Sequence, residues 1–193
     1  MSYLNISHFI PPFQNIAFLN KSSLIKRILS ILVGVGMLAI ASQLSIPLQP
    51  VPLTFQTVTV ILIGMMGGAR YGVEVIAIYL LAGVCGVPVF ANFSAGITEI
   101  MGPKGGYLLG FLPAAFISGY LTQKEFANTF INRFFIACLA TAIIFISGIS
   151  VLSVLIGWHH AITFGLLPFI ISEPIKLLAI SFLKPNYWKN DVS

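Results

Sequence analysis

"FIISEPIKLLAI", residues Phe169 to Ile180, decides how the whole chain is read. As a soluble amphipathic helix, it would turn Glu173 and Lys176 toward water. As part of a membrane span, it would place an acid, a proline and an amine in hydrocarbon. Its flanks favour the span, because no other residue from Ala161 to Leu183 carries a formal charge. The composition agrees. Of 193 residues, 58% are hydrophobic and 8% are charged, and the mean hydropathy is +0.99. Soluble domains carry about 25% charge. A chain so poor in charge cannot cover a water-facing surface, so it reads as an integral membrane protein.

Six apolar segments follow one another: Ile25–Leu44, Phe55–Gly68, Tyr71–Val87, Gly105–Leu121, Phe134–Gly157 and Ala161–Leu183. A helix needs about 20 residues to cross the hydrocarbon core. The second segment falls short, so either it stops early or part of its crossing is an extended stretch shielded by protein. The expected fold is an all-α membrane protein of six transmembrane helices. It divides into an N-terminal cytoplasmic arm (1–24), a membrane domain (25–185) and a C-terminal cytoplasmic tail (186–193). In a competing reading, Lys21, Lys26, Arg27 and the following apolar run form a signal peptide cleaved after Ala39-Ile40-Ala41. The long arm and the five further spans weigh against it.

The formal charge of +5 reflects topology. With the N-terminus inside, Lys21, Lys26, Arg27, Arg70, Lys124, Arg133, Lys184 and Lys189 fall on the cytoplasmic side. Only Lys104 falls outside, which is a strong positive-inside bias. Trp158, Tyr187 and Trp188 suit interfacial anchors. Both termini are therefore expected in the cytoplasm. Cys85 and Cys138 have neither zinc nor redox spacing and read as packing residues.

Two outer connections carry the conformationally special residues. "SIPLQPVPLTFQ" (Ser45 to Gln56) contains Pro47, Pro50 and Pro52, which bar a continuous helix. "GVPVFANFSAGITEIMGPKGG" (Gly86 to Gly106) contains Asn92, Ser94, Glu99 and Lys104 among glycines. Such loops often carry binding groups on a rigid scaffold. Glu173 lies near the middle of span six, where a charge costs at least about 2.5–3.5 kcal/mol. Lys176, three residues on, shares its helical face and can neutralise it. Pro174 frees the carbonyl of Ile170. Either this is a kinked helix with a neutral pair packed against its neighbours, or the pair lines a pocket reached from outside. Intramembrane ionisable residues favour the pocket.

Other features have plainer readings. Arg70 and Glu74, four apart, read as an interfacial pair. His159 and His160 read as a loop pair, not metal ligands. Lys104 before Gly105-Gly106 either anchors the interface or attracts an anion to a helix N-terminus. Gly106, Gly110, Ala114 and Ser118 form a small-residue stripe for close packing on span four. Ser30 and Gly34 repeat the spacing on span one, for packing or for docking another membrane protein. No Walker A pattern, HExxH or GxSxG occurs, and there is no Gly-Lys dipeptide. A membrane-embedded hydrolase using Ser94 in "NFSAG" would need an activating base, and none is visible.

Three segments together resemble the BioY family: "PLTFQ" (Pro52 to Gln56), "GVPVFANFSAGITEIMGPKGGYLLGF" (Gly86 to Phe111) and "PFIISEPIK" (Pro168 to Lys176). The resemblance runs from about Ile28 to Leu183. BioY proteins are the biotin-specific S components of energy-coupling factor (ECF) transporters. The resemblance implies high-affinity biotin capture at the outer face of a bacterial cytoplasmic membrane. It implies coupling to a membrane T component and two cytosolic ATPases, and no cofactor of its own. The implied substrate-binding set is Glu173, Lys176, Asn92, Gln56, Phe90, Phe93 and Tyr107. Glu173 would accept a ureido N–H and Asn92 would add a contact. Lys176 would hold Glu173 ionised or meet the ligand carboxylate. Gln56 would complete the polar lining, and the aromatic rings would cover the apolar ring system. The implied docking residues are Ser30, Gly34 and Ala39. This chain departs from the family pattern with Glu173 in place of Asp, Lys104 in place of Thr, and fewer glycines over Asn92 to Gly96. A stand-alone secondary vitamin transporter is the alternative within the same broad class.

Overall fold

The computed structural model describes residues 21–185. Residues 1–20 of the N-terminal arm and the C-terminal tail, with Tyr187, Trp188 and Lys189, lie outside the described residues. The elements run α1 (Lys21–Gln43), β1 (Ser45–Ile46), β2 (Leu53–Thr54), α2 (Gln56–Val84), α3 (Ile97–Met101), α4 (Gly105–Thr122), α5 (Phe130–Ile156), α6 (Trp158–Gly165) and α7 (Phe169–Ser181). Among the described residues, four helices are long and apolar enough to cross a membrane: α1, α2, α4 and α5. A fifth span results if α6 and α7, bent by 45°, count as one. This is a multi-pass membrane protein.

The long helix α2 is not straight. Gly68 interrupts it at φ 81°, ψ 170°, a conformation open to glycine and strained for other residues. The chain reverses there. Gln56 Nε2 donates to the Tyr79 hydroxyl at 2.6 Å, although a straight helix would hold the two about 35 Å apart. A Cβ placed on Gly72 would come within 3.0 Å of the Gly64 Cα. The two arms of α2 are therefore antiparallel and packed backbone to backbone. The first arm, Gln56–Gly67, rises only about 18 Å. It is preceded directly by the β1–β2 ribbon, which pairs Ser45 with Thr54 and Ile46 with Leu53.

Helix α4 is the centre of the bundle, with its largest interfaces on α2 and α5. Its small-residue stripe is buried. A Cβ at Gly106 would stand 2.5 Å from the Ser147 carbonyl, and one at Gly110 would stand 3.1 Å from the Ile144 Cα. Those two positions admit α5. Gly119 meets the backbone of Gly68 and Ala69 and admits α2. The stripe therefore serves packing within the chain, where close approach replaces the hydrophobic drive that lipid abolishes.

One end of the bundle carries the β1–β2 ribbon, the Val87–Lys104 connection and the start of α6. The opposite end carries Arg27, Arg70 and Arg133. There Arg27 Nη2 reaches both carboxylate oxygens of Glu74 at 2.5 and 2.7 Å, and Arg70 adds a contact at 3.1 Å. The expected Arg70–Glu74 pair is thus the outer part of a three-residue cluster. Arg133 is buried, with its guanidinium donating to the carbonyls of Ser181 (2.9 Å), Ala127 (3.1 Å) and Asn128 (3.0 Å). It ties α5 to the C-terminal end of α7. Replacing it with methionine strands three carbonyls, each in a setting where an unmet partner costs about 1–3 kcal/mol. Arg133→Met should lower the detergent-solubilised Tm by several degrees in a thermal melt, with Arg133→Lys recovering only part.

Two local expectations are corrected. His159 and His160 stand in the first turn of α6, not in a loop. Gly157, at φ 83°, turns the chain directly from α5 into α6 and leaves no loop to hold them. The bend of the last span lies at Leu166–Pro168, between α6 and α7, whereas α7 stays helical through Pro174. A proline one turn and a half inside a helix removes one donor, and α7 absorbs that loss without breaking.

Candidate functional site

The ribbon end holds a narrow hollow that opens to the outside of the bundle. Thr54, Gln56, Phe90, Lys104, Tyr107 and Phe169 are among its walls. Gln56, the first residue of α2, is buried and anchored on both sides. Its Nε2 donates to Tyr79 Oη, and its Oε1 accepts from Thr54 Oγ1 at 3.3 Å. Tyr79 passes the chain on to the Val89 carbonyl at 2.9 Å. A buried amide so held presents fixed polarity to the hollow with little freedom left to lose on binding.

The aromatic lining is equally fixed. Phe90 is fully buried, edge-on to Tyr79 at 5.5 Å, and its ring packs on Gly83, where any Cβ would collide with it. Tyr107 donates to the Gly165 carbonyl at 2.9 Å and meets Phe145 edge-on at 5.8 Å. Phe145 in turn meets Phe169 at 5.3 Å. The "GPKGGYLLGF" segment has a physical reading here. Gly105 lies directly against the Ile100 carbonyl and Gly106 against that of Ser147, so side chains at either would push α4 away and displace Tyr107.

Glu173 and Lys176 lie beside the hollow, not in its wall. Both side chains are almost wholly buried, at 5% and 9% exposure. The Lys176 ammonium donates to Glu173 Oε1 and, at 2.9 Å, to the Thr54 carbonyl. Thr54 is itself a wall residue, so the pair braces the ribbon from behind. The second carboxylate oxygen, Glu173 Oε2, is buried without a hydrogen-bond partner. Glu173 also borders a crevice between α5 and α7 whose walls include Thr141, Phe145 and Phe169. The two hollows share the Phe145 and Phe169 rings. A buried oxygen with no donor is costly to keep, and it is the one a ligand N–H could satisfy.

Asn92 and Phe93 stand apart. Both occupy left-handed backbone, at φ 61° and 55°, in the turn after Phe90. Both are exposed, Phe93 at 71%. They sit at the rim, next in sequence to the wall residues Phe90 and Ala91, and their side chains do not join the lining. Sequence reasoning missed what holds this turn. Gln43 accepts from the Phe93 N–H and donates to the Phe90 carbonyl, each at 3.0 Å, and Ser42 donates to the Val89 carbonyl at 2.7 Å. The only signal was a Ser-Gln pair at the end of an apolar run. Ser94, weighed as a nucleophile, donates to the Ala91 carbonyl at 2.8 Å and closes the same turn.

On the flank, Gly34 lies under Val75 and Tyr71 at the floor of an open crevice between α1 and the first arm of α2. Ser30 is exposed, its carbonyl accepting from Tyr71 Oη at 2.7 Å. Ala39 is half-buried.

The chain is similar to proteins already known. Residues 14–191 match the family described as the BioY family. A probable biotin transporter BioY of Pyrococcus horikoshii is 37% identical over 142 residues, covering 74% of this chain and 83% of that protein. The biotin transporter BioY of Thermotoga maritima is 35% identical over 158 residues, covering 81% and 92%. A probable biotin transporter BioY of Rickettsia prowazekii is 34% identical over 175 residues, covering 91% and 89%. In fold, the chain matches a crystal structure of the S component for biotin from an ECF-type ABC transporter. The TM-score is 0.76 at 22% identity, over 85% of this chain and 91% of that one. With the sequence match spanning the ribbon, the "GPKGGYLLGF" segment and the Glu173–Lys176 helix alike, the chain belongs to the BioY family.

Proposed function

We propose that this protein is the biotin-capturing S component of an ECF-type transporter. It binds the vitamin at the outer face of a bacterial cytoplasmic membrane and releases it inward. The observation that carries the reading is the unpartnered Glu173 oxygen beside an aromatic hollow, in a chain whose relatives are named biotin transporters. A ureido ring offers two N–H donors and a carbonyl. Glu173 Oε2 supplies the missing acceptor, while Gln56 and the rim residue Asn92 supply further polar contacts. Phe90 and Tyr107 pack on the apolar ring, and Phe93 folds over the mouth from the rim. Lys176 supplies the ion-pair partner that holds the other carboxylate oxygen in place. Because the family is one of transporters, the hydrolase reading of Ser94 is set aside.

Six crossings fit this role: α1, the two arms of α2, α4, α5, and the bent α6–α7 pair. The reversal at Gly68 supports the count. Lys26, Arg27, Arg70, Lys124 and Arg133 share the end opposite the hollow, which supports a cytoplasmic position for that end and for both termini. Transport then needs an energy source outside this chain, namely a membrane T component and two cytosolic ATPases. The crevice at Gly34, flanked by Ser30 and with Ala39 farther along α1, is the docking face for the T component.

Equilibrium binding of labelled biotin to the detergent-purified chain tests the function. Saturable binding without ATP, not displaced by unrelated vitamins, is expected. Absence of saturable binding, or equal displacement by unrelated vitamins, would overturn it.

A further inference from the structure

The proposed seat for the ureido ring leaves the other end of the ligand, an aliphatic carboxylate, without a cation. Lys176 is unavailable, because its ammonium is held by Glu173 and the Thr54 carbonyl deep beside α7. Among the described residues lining the hollow, Lys104 is the only one with a formal charge. It caps the N-terminus of α4, between the Val87–Pro103 connection and the wall residue Tyr107. Its side chain is 25% exposed, so it faces neither bulk water nor the core.

Lys104 has a resident counter-ion. Its Nζ lies 2.5 Å from Glu99 Oε2, and the Glu99 side chain is 20% exposed. The two are held as an ion pair, and no other described residue hydrogen-bonds Glu99 Oε2. An ammonium carries three donors, and Glu99 takes at most one. Lys104 therefore has donors to spare at the mouth of the hollow, in surroundings dry enough to strengthen a second ion pair.

We propose that Lys104 is the specificity-determining residue for the ligand's carboxylate, and that Glu99 is its competitor in the empty state. This rests on the biotin reading above. A ligand anion entering the mouth shares or displaces Glu99, so the site selects the free acid over its neutral derivatives. Glu99 holds the ammonium at the mouth until then and weakens the contact it will make.

The test compares biotin with biotinamide on the purified full-length chain. Wild type should bind the acid at least about 10-fold more tightly than the amide, the scale of one hydrogen bond to a charged group. Lys104→Met should remove that preference by weakening the acid alone, and Lys104→Arg should retain it. Glu99→Gln should tighten the acid severalfold and leave the amide unchanged. Equal binding of acid and amide by wild type overturns the proposal without needing any variant to fold. So does a Lys104→Met protein that loses both ligands equally or neither. Those outcomes leave the biotin reading standing, whereas a wild type that binds neither compound ends both.

Discussion

Glu173→Gln is expected to weaken biotin binding about 100-fold, near the upper end for losing a hydrogen bond to a charged group. The substitution keeps the shape of the side chain and removes the charge. It also leaves the Lys176 charge buried with neutral acceptors alone, the new amide oxygen and the Thr54 carbonyl. Breaking a buried pair from one side typically costs about 3–5 kcal/mol, because the other charge is left uncompensated. Thermal melts should therefore show Glu173→Gln and Lys176→Met each destabilised. The double variant Glu173→Gln/Lys176→Met should recover much of that loss, since no charge is left unpaired. It should still fail to bind biotin. That divergence separates the two roles of the pair. A purely structural pair would let the repaired double variant bind normally, and that result would contradict the assignment.

Gly64→Val should prevent recovery of folded protein. A Cβ at Gly64 would lie 2.5 Å from the Ala115 carbonyl and closer still to the Ser118 hydroxyl. The first is backbone in the middle of α4, and it cannot rotate away. The Gly72 backbone presses on Gly64 from the other arm of α2, so three helix segments meet at this one residue. Overpacking usually costs about 1–3 kcal/mol, and a branched side chain trapped between backbones belongs at the top of that range. Gly36 on α1 is the control, because a Cβ there meets nothing within 4 Å. Gly36→Ala should be neutral or gain up to about 1 kcal/mol from helix propensity. Yield of monodisperse protein on size exclusion, followed by a thermal melt, reads both outcomes. If Gly64→Val survives with a wild-type melt, the backbone-to-backbone packing of α2 on α4 is wrong.

The contrast between these sites shows what a one-dimensional reading could reach. The apolar lengths of α1, α4 and α5 are written in consecutive residues, and so is the stripe from Gly106 to Ser118. The short segment before Gly68 also showed that it must either stop early or continue as an extended stretch. Glu173 and Lys176 were conspicuous because lipid makes any charge conspicuous. Partners distant in sequence were not legible. Nothing in "LIKRILS" announces that Arg27 will reach Glu74, or that Lys176 will find the Thr54 carbonyl. Gln43 could not be told from an ordinary interfacial amide until the turn at Phe90–Phe93 came to rest on it. Pro174 drew attention as the point of bending, yet the chain bends at Leu166–Pro168. A proline states which donor is missing, but neighbouring helices decide where a span gives way.

The most direct measurement is the structure of the purified chain with biotin bound. It should place a ureido nitrogen within about 3 Å of the Glu173 carboxylate, with Phe90 and Tyr107 against the ring system and Gln56 in the polar wall. A bound vitamin that leaves Glu173 Oε2 without a partner, or that lies away from the ribbon-end hollow, would contradict the claim that this buried acid is there for the ligand.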